Sequence, residues 1–253
     1  MLFLTYKRAP EVKIEKKVKD RETPQKIPAP IVKKDRIALI MDDLGYNLSV
    51  AHEVLDLDVP VTFSILPMLP YSKKVAQLAN ERGREILLHI PMEPHYRAGV
   101  RNEKNTLMLT MNDRELTEIL KKAIHSVPYI SGANNHMGSK FTENWGKMGV
   151  VLSTIKDYNL FFVDSMTSLK SVGYKRAKNL GLRTAKADIF LDRDSDSKEI
   201  KRYFRIAERI SRKKGHAIAI AHPRRVTIKV LQEMIPVLQE EGIEFVSVSQ
   251  LVN

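Results

Sequence analysis

From residue 36 onward, apolar runs of strand length alternate with amphipathic stretches of helix length about seven times, and no other feature limits the fold so sharply. Strands are expected at 37–41 (IALIM), 61–66 (VTFSIL), 85–90 (EILLHI), 130–134, 161–163, 184–187, 216–221 (HAIAIA) and 244–248 (EFVSV). Several of these runs are apolar without alternation, the signature of strands covered on both faces. Helices are expected at 49–57, 72–82, 112–126, 146–158, 173–179, 197–214 and 227–241. Ser49 and Ser197 are read as N-caps, and Gly83 and Gly215 as helix stops. Such an order predicts an α/β fold with parallel strands and helices outside, either an open sheet or a closed barrel. In both, chemistry collects at the carboxyl ends of the strands.

The preceding stretch has a different composition. Residues 7–35 are rich in Lys, Glu and Pro and lack a lasting apolar period. Pro24, Pro28 and Pro30 favour extended backbone, so 1–35 reads as a linker ahead of a folded domain at 36–253. The apolar start MLFLTY is too short for a signal-peptide core. It reads either as the stub of a longer leader or anchor, or as an ordinary start. The chain carries +12 overall, of which residues 1–35 hold ten Lys/Arg against five Asp/Glu. Such a balance suits anionic polymers, although a solvated surface is the plainer account. With no cysteine, disulfides, thiolate metal sites and cysteine nucleophiles are excluded. Phosphate-binding glycine loops and the G-x-S-x-G elbow are absent too.

Polar side chains recur at strand ends. IALIM runs into Asp42-Asp43, EILLHI carries His89 with Glu93 beyond it, and the 130s strand ends in Asn134-Asn135-His136. FFV ends in Asp164-Ser165, and HAIAIA in His222-Pro223. Parallel strands bring all of these to one rim. Two adjacent carboxylates at a buried strand end repel, and a cation or a held proton relieves them. One can bind metal while the other acts as base; a helix N-cap with a solvated neighbour is the alternative. His89 and His136 are candidate ligands because neutral imidazole is the commonest one. Two histidines and one carboxylate leave coordination positions open, an arrangement zinc favours in catalysis. Asp164 can orient a histidine or a catalytic carboxylate, and His222 can serve as a general acid. Glu93, Asn135 and Ser165 are assigned to substrate binding. The alternating Asp192, Asp194 and Asp196 lack the spacing of a calcium loop, and Asp192 alone is a further candidate for the rim.

The ordered strings IALIMDDLGYN, FSILP, LLHIPMEP, NNHMGSKFT, FFVDSMTS and AHP resemble the divergent polysaccharide deacetylase family, a distant branch of the NodB-type carbohydrate esterases. The resemblance spans about residues 36–253. It implies a distorted (β/α)7 barrel with a divalent metal, for which the ligand types above make Zn²⁺ the expected ion. It also implies Asp42 as base, Asp43 as metal ligand beside His89, and His222 as acid. In the better-known enzymes both metal histidines lie in one H-x-x-x-H motif; here the second position is Glu93, and His136 is the candidate replacement. The expected function is removal of acetyl groups from a cell-envelope glycan, with a catalytically weak glycan-binding or scaffold module as the alternative. A periplasmic or extracellular location and envelope partner proteins fit that reading, and no nucleic-acid partner is expected.

Overall fold

Among the described residues nine strands join in one sheet in which every pairing is parallel. In this computed structural model, residues 35–96 and 103–253 are described, with Leu2 alone ahead of them. The linker expected at 1–35 therefore lies outside the described residues, apart from its ends. The strands are β1 (Asp35–Leu44), β2 (Val61–Ile65), β3 (Ile86–Met92), β4 (Gly132–Met137), β5 (Phe161–Asp164), β6 (Thr184–Lys186), β7 (Ile189–Phe190), β8 (His216–Ala221) and β9 (Ile243–Phe245). Between them run α1 (Leu48–Leu55), α2 (Ser72–Glu81), α3 (Asp113–Ser126), α4 (Trp145–Asp157), α5 (Gly173–Asn179), α6 (Ser197–Lys214) and α7 (Arg225–Glu240).

The strand order is β6-β5-β4-β3-β2-β1-β8-β7, with β9 beside the first half of β1. Laid flat, eight strands at about 4.8 Å spacing would span roughly 34 Å. Yet the end strands β6 and β7 are separated in sequence by only Ala187 and Asp188, a reach of about 11 Å. The sheet must therefore curl until its ends meet. At the seam the Ala187 N–H donates to the Asp164 carbonyl at the end of β5, and the next N–H, of Asp188, donates to the Ile218 carbonyl of β8. Consecutive amides thus bond to opposite ends of the strand order. The result is the distorted barrel expected above.

Strand parity divides the core in two. Ile37, Leu39 and Met41 of β1, with Phe63, Leu88 and Phe162, pack outward against the helices. Ala38, Ile40, Leu87, Phe161, Val163, Ile218 and Ile220 turn the other way and fill the barrel. Each fully buried side chain of this size contributes about 1.5–3 kcal/mol. Inside the barrel Gly132 leaves room for Phe161, whose ring would lie 2.5 Å from an added Cβ. The C-terminal residues Val246, Val248, Leu251 and Val252 close the interior from below, and Asn253 pairs with Thr184. The last strand is shorter than expected for this reason: it ends at Phe245, and Val248–Leu251 form a 3-10 turn within that plug.

Two caps also differ from expectation. Asn47, not Ser49, caps α1, its side chain accepting the N–H groups of Ser49 and Val50. Asp196, not Ser197, caps α6 in the same way. In each case the amide or carboxylate oxygen lies one or two residues ahead of the serine and reaches the same orphan donors. Elsewhere the local signals agree with the fold. Asn112 and Glu115 form a reciprocal capping box on α3, and Gly215 ends α6 at φ 81°.

Candidate metal centre

Parity carries the polar rim as well. One step beyond the inward Ile40 stands Asp42, beyond Leu87 stands His89, beyond Val163 stands Ser165, and beyond Ile220 stands His222. On β4 the same face presents Gly132, Asn134 and His136. Asp43 should point outward by this rule, and a bulge overrides it. Met41 pairs with Phe63 but Leu44 pairs with Ile65, so β1 spends three residues where β2 spends two. Asp43 takes the left-handed conformation, φ 57°. That backbone is costly for a residue with a Cβ, and the cost is of the kind stored at working sites. Its effect is to swing a second carboxylate onto the inner face beside Asp42.

Three ligand-type atoms converge there. Asp43 Oδ1 lies 2.9 Å from His136 Nδ1 and 3.2 Å from His89 Nε2, and the two imidazole nitrogens are 3.2 Å apart. A zinc ion bound at about 2.0–2.1 Å by such atoms requires them roughly 2.9–3.4 Å from one another. The donor set therefore fits a divalent ion with open positions. Asp42 Oδ2 stands 3.6 Å from His89 Nε2, just outside the set. Burial alone would raise the Asp43 carboxyl, but its hydrogen bonds with His136 and His89 outweigh burial and hold it far below the usual range. His89 shows the complement. Burial opposes its charge, and the carboxylates of Asp42 and Asp43 more than offset that, raising its pKa. Negative charge is concentrated here, as a cation site requires.

Across the mouth, His222 Nε2 is 3.9 Å from Asp43 Oδ2. Its Nδ1 faces Asp192 Oδ1 at 2.8 Å. The other Asp192 oxygen accepts from the His222 N–H and from Thr227 Oγ1, so the carboxylate is fully engaged. Although burial works against it, Asp192 pushes the His222 pKa up to about 9, and Asp192 itself is held below its ordinary value. A cavity of about 280 Å³ opens beside this pair, lined by Asp43, Tyr46, Asn47, His222 and Arg224 among others.

The remaining candidates stand elsewhere. Asp164 follows the outward Phe162, and its oxygens accept from Met166 N–H, Ser171 Oγ and Tyr174 N–H, fastening the loop that leads into α5. Asn135 also turns away from the cluster. It accepts from the Ser165 N–H and donates to the Met137 carbonyl and Thr167 Oγ1. Glu93 is bound by Lys140 Nζ and the Leu109 N–H, joining two loops rather than supplying a ligand atom to the three above. Ser165 reaches the inner face and meets Asn134 Nδ2 at 3.3 Å. Sequence reasoning assigned no role to Asn134, a fully buried residue bonded to both Asp42 and His89. Its signal was its spacing of two from His136, which puts both on one face. Asp192 carries a weaker sequence signal because β7, the strand before it, is only two residues long.

Fold and site together describe a curled parallel β/α barrel with a candidate Asp-His-His metal centre in its carboxyl-end mouth. The chain belongs to the divergent polysaccharide deacetylase family, whose model matches residues 39–252. It is 35% identical over 218 residues to the uncharacterized protein YibQ of Escherichia coli (strain K12), covering 86% of this chain and 67% of that one. The crystal structure of an uncharacterized protein from Agrobacterium tumefaciens C58 shares the fold with a TM-score of 0.82 at 27% identity, covering 87% of this chain and 89% of that one. A mutant CE4 family pseudoenzyme with restored enzymatic activity shares it more distantly, with a TM-score of 0.51 at 17% identity over 86% of this chain and 67% of that one.

Proposed function

We propose that this protein is a metal-dependent hydrolase that removes acetyl groups from a glycan of the cell envelope. The convergence of Asp43, His89 and His136 on one point, with Asp42 at its edge, carries this reading, and family membership supplies the substrate class. Zinc bound there would supply a Lewis acid for the acetyl carbonyl and its attacking water. The chain's own groups divide the proton work. Asp42 Oδ2, free of the hydrogen bond that occupies Oδ1, takes a proton from the water as its oxygen bonds to the acetyl carbon. His222, protonated at neutral pH and oriented by Asp192, delivers a proton to the departing nitrogen or oxygen as its bond to that carbon breaks. The products are acetate and a free amine or alcohol on the sugar. The cavity beside His222 gives the sugar a place to sit.

The test is acetate release from acetylated glycans by zinc-loaded protein, wild type against Asp42→Asn. Release in the wild type and its loss in the variant, with metal content unchanged, is the expected result. A stoichiometrically metal-loaded wild type that releases none from N- or O-acetylated glycans overturns hydrolysis and leaves a glycan-binding module. An envelope location belongs to the same proposal. Among the described residues no helix is long and apolar enough to cross a membrane.

A further inference from the structure

Beneath the three ligand atoms lies the buried amide of Asn134, and its four neighbours fix which way it faces. Nδ2 donates to Asp42 Oδ1 at 2.8 Å and, at 3.3 Å, to Ser165 Oγ. Oδ1 accepts from Ser64 Oγ at 2.7 Å and meets His89 Nδ1 at 2.8 Å. A carboxylate only accepts, so the amide nitrogen must face Asp42. That leaves the carbonyl oxygen facing His89, and a carbonyl also only accepts. His89 must therefore carry a proton on Nδ1, and the neutral ring then presents its lone pair on Nε2, the atom aimed at Asp43 and His136. Turning the amide over would set oxygen against oxygen at Asp42, a contact that two buried side chains do not tolerate.

His136 is held differently. It aims Nδ1 at the cluster, and its Nε2 is buried with no hydrogen-bond partner among the described residues. One imidazole thus has its tautomer imposed by the protein, and the other does not.

We propose that Asn134 is a positioning residue with two arms. Its carbonyl holds His89 in the one tautomer that can bind metal through Nε2, and its amide nitrogen pins Asp42 so that Oδ2 faces the ligand cluster. The inference rests on the metal-dependent reading above and adds to it the residue that links ligand to base. An outer hydrogen-bond partner of a metal-binding histidine is typically worth 10–100-fold in affinity.

The test is Co²⁺ and Zn²⁺ titration of the intact chain, with folding followed by near-ultraviolet circular dichroism. Asn134→Leu, similar in volume but without polar atoms, is expected to weaken metal about 10–100-fold. Asn134→Asp keeps an oxygen for His89 and should bind metal within about threefold of wild type while losing acetate release through Asp42. Leucine binding as tightly as asparagine overturns the His89 arm. Full acetate release by the aspartate variant overturns the Asp42 arm. Should the leucine variant not fold, nitrogen-15 correlation spectra of the zinc-loaded wild type decide the matter. His89 must show a protonated Nδ1 and a ligated Nε2, and His136 the reverse; His89 ligated through Nδ1 overturns the proposal. A wild type that takes up no metal fails earlier and sinks the hydrolase reading itself.

Discussion

β1 and β5 belong to one curled sheet, and each carries near its carboxyl end an aspartate followed by a second polar residue. Asp42-Asp43 builds the candidate centre, whereas Asp164 is turned to the helix side and ties down a loop. Their sequences give no hint of this difference, because both pairs follow buried apolar runs. Parity decides it. Asp42 continues the inward face of Ala38 and Ile40, while Asp164 continues the outward face of Phe162. The bulge at Asp42-Asp43 then adds a second inward carboxylate, at the cost of a left-handed aspartate. A polar residue at a strand end is thus a candidate for the site only when its face is known.

The contrast breaks most visibly at Asp43. Asp43→Gly removes a ligand while allowing φ 57°, so the bulge should survive where an alanine Cβ would add strain. Metal affinity should fall more than about 100-fold, beyond the loss expected for an outer hydrogen-bond partner. Elemental analysis after dialysis against dilute Zn²⁺ measures it. Retained stoichiometric metal would show that the bulge does not serve a metal. The mirror experiment is Asp164→Ala. It leaves the half-buried donors of Met166, Ser171 and Tyr174 without their acceptor and should cost about 1–3 kcal/mol of stability in urea denaturation. Metal affinity should stay within about twofold. A fall in affinity as large as that of Asp43→Gly would put both carboxylates in one site and end the distinction.

A third way to sharpen it uses the opposite wall of the mouth, where Asp192 also faces inward but pairs with a histidine. The raised His222 pKa means that its share of stability is complete below about 6.5 and is lost as pH climbs through about 9. The lowered Asp192 pKa means that its share is present above about 3.8 and is lost only as pH falls through the depressed value. The metal-free protein should therefore lose stability between about pH 6.5 and 9. Asp192→Asn should flatten that decline and return the His222 titration, followed by nuclear magnetic resonance, toward its ordinary range. An unmoved His222 titration would show that Asp192 does not hold it.

The fold was legible because buried parallel strands and capped amphipathic helices each leave a local signature. The exceptions have local reasons. β7 is two residues long, too short to show any period, and it hid the value of Asp192. The C-terminal plug is apolar like a strand but bends into a 3-10 turn. The candidate site was legible in its residue types, since Asp42, Asp43, His89, His136 and His222 all gather at one mouth. What the sequence withheld was direction. Asn135 and Asn134 are chemically identical neighbours; the spacing of two from His136 is the one hint that separates them, and the pairing of β4 with β3, His89 opposite Asn134 and Pro91 opposite His136, sets the inward amide apart from the outward one. The bulge at Asp43 leaves no mark in composition, because aspartate tolerates the left-handed region without demanding it.

The smallest effect belongs to Ser165, the residue next to Asp164 that does face inward. Its hydroxyl meets Asn134 Nδ2 at 3.3 Å, longer than the 2.8 Å bond from the same nitrogen to Asp42. Losing the longer of the two bonds leaves one of the two Asn134 N–H groups without its acceptor while the Asp42 bond stays, so Ser165→Ala should cost about 1 kcal/mol and move metal affinity less than about threefold. The direction matters more than the size. A change in metal affinity that exceeds the change in stability would mean that the amide drifts without its second acceptor, and Ser165 would join the ligand-holding network. A change in the KM for the acetylated glycan alone would instead place Ser165 against the sugar, restoring the substrate-binding role that its position in FFVDSMTS suggested.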